Sequence, residues 1–358
     1  MLVRRVRMTN LRSRRTLEVE MGAGLTVLVG PNGAGKTTVL EAIALVLRGG
    51  LLRPGPIRDL ITRSQDYLRV EVDLEEGDSA VTAGAAYSRD GERRLTADGA
   101  SLEDSARWQE ALPVRTFVPD DLRLIKGNPR RRREFLDALA ERCAPEYRQT
   151  LHRYEEALAQ RNALLRGARA WPDSPRFAPW ESILAQTGLA ISGRRASTLA
   201  SFTASFQRIH CELTGDPPGS LRLVYRTNVA GLDEQEYRIR LAESREADRQ
   251  RTYTHLGPHR DDLRLSRSGI DVRDCASQGE QRAALLTLVL AEWEGLCGGV
   301  RKPLLLLDDV MSELDGARRS ALVALVRRGG QAVITTTDLR YFTPQELSDC
   351  TVVELEVE

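Results

Sequence analysis

The chain has 358 residues, 41% hydrophobic and 29% charged, enough to bury a large core and to form two structural lobes of a soluble globular protein. With 52 Lys plus Arg against 51 Asp plus Glu the net charge is +1, so bulk charge cannot draw the chain to nucleic acid and any such contact needs a local patch. Cys143, Cys211, Cys275, Cys297 and Cys350 show no CxxC spacing, which excludes a disulfide framework and a zinc site and points to reduced thiols in a cytoplasm. No apolar run follows the N-terminal arginines, so no secretory signal is expected. Apolar stretches fall well short of the ~20 residues a membrane helix needs, so a cytoplasmic protein without a membrane partner is expected.

In chain order, residues 17–20 and 25–29 read as short strands, the second ending at Gly30. After Lys36, the run TTVLEAIALVL has apolar residues at helical spacing and stops at Gly49-Gly50. Alternating runs between 67 and 94, broken at Glu76-Gly77-Asp78 and Asp90-Gly91, predict antiparallel strands. The texture changes near Pro119. Arg, Ala, Leu and Glu dominate from there, with helices predicted over 130–143, 145–169 and 183–213 and a loop at Trp171-Pro172-Asp173-Ser174-Pro175. Asp216-Pro217-Pro218-Gly219 closes this insertion, after which a strand (LRLVYR) and a helical stretch resume. The expected domains are therefore 1–119 with 217–358, and a helical lobe at 120–216.

Gly30-Pro31-Asn32-Gly33-Ala34-Gly35-Lys36-Thr37 fits G-x-x-x-x-G-K-[ST] between an apolar strand and an amphipathic helix. Its glycines let the backbone curl so that successive N–H groups face phosphates, and the following helix adds the positive end of its dipole. Gly30 to Thr38 are thus candidate ATP contacts. Lys36 is one of only three lysines in an arginine-rich chain, and a slim ammonium suits this cramped position better than a planar guanidinium. The Thr37 hydroxyl can hold Mg²⁺.

The run Leu304-Leu305-Leu306-Leu307-Asp308-Asp309 predicts a strand buried on both faces with carboxylates at its exposed end. Asp308 would bind Mg²⁺, and Asp309 would orient or deprotonate the attacking water; Lys36, Asp308 and Asp309 are the candidate catalytic residues. Ahead of this strand, Ser277-Gln278-Gly279-Glu280-Gln281-Arg282 opens a helix with an S-x-x-E capping box. Behind it stands Ser312-Glu313-Leu314-Asp315.

A phosphate loop, an S-x-G-x-Q helix start, an acidic strand and an S-x-L-D loop in this order resemble the ABC-type ATPases. The resemblance implies an α/β head with a mixed sheet, a P-loop and an antiparallel β part, plus an inserted all-helical lobe. It also implies that Ser277, Gly279 and Gln281 of one subunit complete the ATP site of another, giving an ATP-dependent homodimer. Two positions depart from the pattern. Asp309 stands where the catalytic Glu is usual, and Thr337 falls near the switch position often held by His; both suggest slow hydrolysis. No glutamine-loop residue can be assigned.

Roughly 240 residues separate the phosphate loop from the signature, an insertion that suits the SMC-type DNA-repair branch better than a transporter subunit. Nearly the whole chain resembles the RecF family. The resemblance rests on Leu11-Arg12, Val39-Leu40-Glu41-Ala42-Ile43, Phe117-Val118-Pro119-Asp120-Asp121-Leu122, Lys126-Gly127-Asn128-Pro129 and Gly257-Pro258-His259-Arg260-Asp261-Asp262. Arg12 joins the candidate nucleotide contacts. The family resemblance implies recombinational gap repair, with ATP-driven dimerisation, slow DNA-stimulated hydrolysis, double-stranded, gapped or junction DNA as ligand, and RecR- and RecO-type mediators as partners. Arg130-Arg131-Arg132-Arg133 at a helix start are the candidate phosphate contacts of that DNA. Two other readings stay open: a transporter ATPase, which would co-purify with a membrane component, and a DNA-binding scaffold with a nucleotide it never turns over.

Overall fold

A computed structural model describes residues 1–53, 55–104, 108, 111–167, 175–297 and 302–357. Most of the loop expected at 171–175 lies outside the described residues. No helix among those described is long and apolar enough to cross a membrane. The chain forms two compact units, 1–121 with 208–217 and 278–358, and 122–207 with 218–277.

The first unit opens with strand β1 (Leu2–Leu11), for which the sequence reading had no element. Its alternation is interrupted by a register shift between Val3 and Arg5, after which Val6 and Met8 point inward while Arg5 and Arg7 face Asp73 on the outer side. The bulge hides the period-two pattern from the sequence. β1 sits beside β2 (Arg14–Glu20) in an antiparallel sheet continued by β4 (Tyr67–Glu76), β5 (Ser79–Ser88), β6 (Arg93–Ala97) and β7 (Ala100–Leu102). The expected antiparallel part is thus present.

A second sheet is parallel throughout: β3 (Leu25–Val29), β8 (Val114–Phe117), β12 (Leu304–Leu307), β13 (Ala332–Thr336) and β14 (Thr351–Glu354), in the order β14-β3-β13-β12-β8. Every residue of β3, β12 and β13 is buried, as strands covered on both faces require. Helix α1 (Lys36–Leu47) packs against strands of both sheets, and all its residues but Thr37 are buried. A helix buried on nearly every side belongs inside a core, and Val39, Leu40 and residues 42–47 of α1 are part of this one.

The second unit holds α2 (Pro129–Cys143), α3 (Tyr147–Arg166) and most of α4 (Ala178–Thr214), so the inserted helical stretch forms as expected. Asn128 caps α2 by accepting from the Arg130 N–H at 3.0 Å, with Pro129 in the first turn. The compact units do not follow the boundary expected at 216. Residues 218–277 join the helices, and 208–217 join the first unit. The reason is packing: β10 (Asp262–Arg267) pairs with β9 (Leu221–Arg226), and its Leu263 clusters with Leu136 of α2 and Leu199 of α4. The second unit is therefore helices on a small antiparallel sheet.

Candidate nucleotide site

β3 runs straight into the phosphate loop, and Gly33 and Gly35 take φ of +87° and +83°, which L side chains resist. A side chain at Gly35 would also strike Arg14, whose guanidinium donates to the Ala34 carbonyl at 2.5 Å and braces the loop from behind. Nothing lies within 4 Å of where a Gly33 Cβ would stand, so that face of the loop is open. α1 begins with no side-chain cap and no acidic residue in its first turn. Its first N–H groups are therefore left for an external acceptor.

Lys36 folds back on the loop, donating to the carbonyls of Gly30 at 2.6 Å and Pro31 at 2.9 Å. Burial lowers its pKa, while the charges of Asp309 and Asp308 pull it back up. At the end of β12, Asp308 is 3% exposed and accepts from Thr37 Oγ1 at 2.8 Å and from Thr335 Oγ1 at 2.9 Å. The structure thus brings together the hydroxyl and the carboxylate that the sequence proposed for Mg²⁺. Asp309 adopts φ of +49°, held by its N–H bond to Thr335 Oγ1 at 2.8 Å. Its Oδ1 is buried and accepts no hydrogen bond. Burial raises the Asp309 pKa; the Ser312 hydroxyl opposes this, Asp308 adds to it and Lys36 lowers it.

These groups line one open cleft of about 420 Å³, together with Asn32, Arg12, Glu41 and Arg53. Arg12, at φ of +58°, forks onto the buried Glu41 carboxylate at 2.7 and 3.0 Å. A curled loop, an uncapped helix end, a lysine and a hydroxyl–carboxylate pair fit a triphosphate with a divalent cation, and the orphaned Asp309 oxygen fits a water. Sequence reasoning missed Arg53, which binds Asp308 at 3.0 Å, and Thr335, which holds both aspartates. No motif marks Arg53. Thr335 was within reach, because parallel pairing of β12 with β13 sets its strand beside Asp308.

Ser277 is exposed at the start of helix Gln278–Cys297, and neither Gly279 nor Gln281 lines the cleft. Gln281, expected at a partner's nucleotide, is 4% exposed in the single chain. At helical spacing its position faces the core that Ala284, Leu285 and Leu288 fill. Its neighbour Arg282 instead reaches Glu313 of the S-x-L-D loop at 2.8 Å.

The arginine run, expected to contact DNA, is buried at one of its four positions. Arg132 is 2% exposed, bound to Asp262 at 2.6 Å and to the Gly127 carbonyl at 2.8 Å. Arg133 donates to the Asp261 carbonyl at 3.0 Å. Four arginines in a row span a full helical turn, so the third faces inward here, while Arg130 is exposed and Arg131 and Arg133 are partly exposed. His259 bridges Tyr154 and the Thr254 carbonyl, and His255 pairs with Asp248.

Residues 2–352 match the RecF/RecN/SMC N-terminal domain family. The chain is 34% identical to the DNA replication and repair protein RecF of Heliobacterium modesticaldum, over 99% of this chain and 98% of that protein. It belongs to the RecF family. The RecF of Symbiobacterium thermophilum is 35% identical over 92% of this chain and 89% of its own. A solved structure of the recombination mediator RecF with ATP, in the RecFOR pathway, superposes with a TM-score of 0.78 at 28% identity, covering 94% of this chain and 92% of that one. The α/β head with its phosphate loop, antiparallel part and inserted helices is accordingly the RecF fold.

Proposed function

We propose that this chain is an ATP-dependent, DNA-binding homodimeric clamp of recombinational gap repair, a slow ATPase that helps RecR- and RecO-type mediators load recombinase at gapped DNA. The observation that carries the reading is the split between half-sites. Phosphate loop, Thr37 and Asp308 converge on one cleft, while Gly279 and Gln281 of the signature turn, in the same unit, lie outside its lining. A second copy could bring that turn, with its helix dipole, to a triphosphate held in the cleft. The names of the relatives, DNA replication and repair protein and recombination mediator, support the biological setting.

The chemistry follows from the residues. A bound Mg²⁺ would neutralise phosphate charge beside Thr37 and Asp308. Lys36 exchanges its two carbonyl partners for phosphate oxygens, and the loop N–H groups orient the chain of phosphates. Asp309, with a free buried oxygen, holds the attacking water and takes its proton. Its side chain is one methylene shorter than Glu, so the water sits farther from its base and turnover is slow. Light scattering tests the reading: Asp309→Asn should double in mass with ATP and Mg²⁺, and Lys36→Met or Ser277→Arg should stay monomeric. A mass unchanged by ATP at clamp-like concentrations would sink the proposal. Multiple-turnover phosphate release stimulated by duplex DNA would exclude a scaffold without hydrolysis.

A further inference from the structure

We infer that Arg53 is a working part of the nucleotide site, the cation that holds Asp308 before the metal arrives and that the metal must displace. The inference rests on the cleft being the Mg-nucleotide site. Asp308 is 3% exposed, and a carboxylate so buried needs a counter-charge. Its Oδ1 is taken by two hydroxyls, Thr37 and Thr335, which carry no charge. Lys36, the obvious cation, is committed to the Gly30 and Pro31 carbonyls. The charge is supplied by Arg53, whose Nη2 stands 3.0 Å from Oδ2 on a side chain that lines the cleft and is 45% exposed.

A divalent cation entering between Thr37 and Asp308 needs the same carboxylate. It would meet a guanidinium of like charge a few ångströms away, so the two compete. Half-exposure gives Arg53 room to leave, whereas Thr335 is fully buried and stays. Arg53 therefore sets how much metal the site requires, without touching the reacting atoms. It is a positioning residue.

The test is a Mg²⁺ titration of binding by a fluorescent ATP analogue, for the wild type, Arg53→Met and Arg53→Lys. Arg53→Met keeps bulk and removes charge, and should half-saturate at about fivefold lower Mg²⁺, the factor expected for one partly exposed ion pair. Arg53→Lys, which keeps the charge, should fall between the two. In EDTA all three should bind the analogue equally. An Arg53→Met curve that superposes on the wild type, or shifts to higher Mg²⁺, overturns the inference. So does a loss of affinity in EDTA, which would make Arg53 a phosphate contact instead. If the wild type binds no analogue at any Mg²⁺, the nucleotide-site reading itself falls. Thermal melts of each variant guard against misfolding, and Arg53→Lys carries the comparison should Arg53→Met melt early.

Discussion

The two units use arginine in opposite ways. In the first, Arg12 and Arg53 are partly exposed and clamp the buried carboxylates of Glu41 and Asp308 at the rim of an open cleft. In the second, Arg161 is fully buried, bound to Asp248 at 2.6 Å, Glu181 at 3.2 Å, the Thr254 hydroxyl at 2.8 Å and the Leu241 carbonyl at 2.7 Å. Arg195 is buried likewise between Asp137 and Asp261. The pairs at the cleft can open and be replaced by a ligand. Arg161 has every N–H donor spoken for, and it and Arg195 behave as internal staples.

The largest expected effect lies at the cleft and touches chemistry alone. Asp309→Asn should cut hydrolysis by about 10²–10⁴-fold, the usual worth of a general base, with nucleotide affinity little changed. Because burial raises the pKa of Asp309, the acid limb of the wild-type pH–rate profile should lie above the ordinary carboxylate range. Below that limb Asp309 is protonated and cannot accept a proton. Single-turnover hydrolysis measured across pH checks both points, and an unshifted limb would remove Asp309 as the base.

In the second unit the matching experiment is Arg161→Leu. It takes a buried cation from two carboxylates, Asp248 and Glu181, each at most 4% exposed; Glu181 keeps Arg245 and Asp248 keeps His255, so the loss should be about 3 kcal/mol in denaturant melts. Arg12→Leu should cost less, because that guanidinium is 38% exposed and its one carboxylate partner, Glu41, lines an open cleft that water can enter. Equal losses at the two sites would break the contrast.

A smaller effect comes from His259, whose pKa burial lowers to about 4 from 6.5. The unfolded chain takes up a proton below 6.5 that the folded unit refuses until about 4. Stability present above pH 6.5 is therefore lost as pH falls through that window, by up to ~1.4 kcal/mol per pH unit. His259→Gln should flatten the pH dependence of urea melts between 6.5 and 4.

How much of this was legible follows the range of the interactions. The phosphate loop and the acidic strand could be read because each is a local run whose neighbours in sequence are its neighbours in space. α1 showed through apolar residues at helical spacing, and β3 and β12 as continuous apolar stretches, for the same reason; β8, β13 and β14 were not read. Nor was β1, because one bulge shifts its alternation. The division between the units was misplaced because Leu263 finds Leu136 and Leu199 across more than sixty residues of chain, a pairing no local pattern encodes. Arg53 was invisible because its role is set by Asp308, hundreds of residues away, whereas Thr335 needed only the pairing of β12 with β13 to be placed beside it.

The arginine run at 130–133 is where both habits of arginine meet within one helical turn, and it carries the finest prediction. Arg130 is largely exposed and already pairs with Glu134 at 2.9 Å, while Arg131 is partly exposed. If duplex phosphates touch this turn, Arg131→Ala should weaken binding uniformly across sequences and reduce the slope of log affinity against log salt by about one. Arg130→Ala should do less, because phosphate must first win the guanidinium from Glu134. Arg132→Ala should leave the salt slope alone and lower stability, since it frees Asp262 and the Gly127 carbonyl inside the unit. Salt-dependent binding measured alongside melts for the three variants separates the roles. A slope that changes with Arg132 and not with Arg131 would mean that the turn reopens on DNA, and that burial in the free protein is a poor guide to which arginines bind.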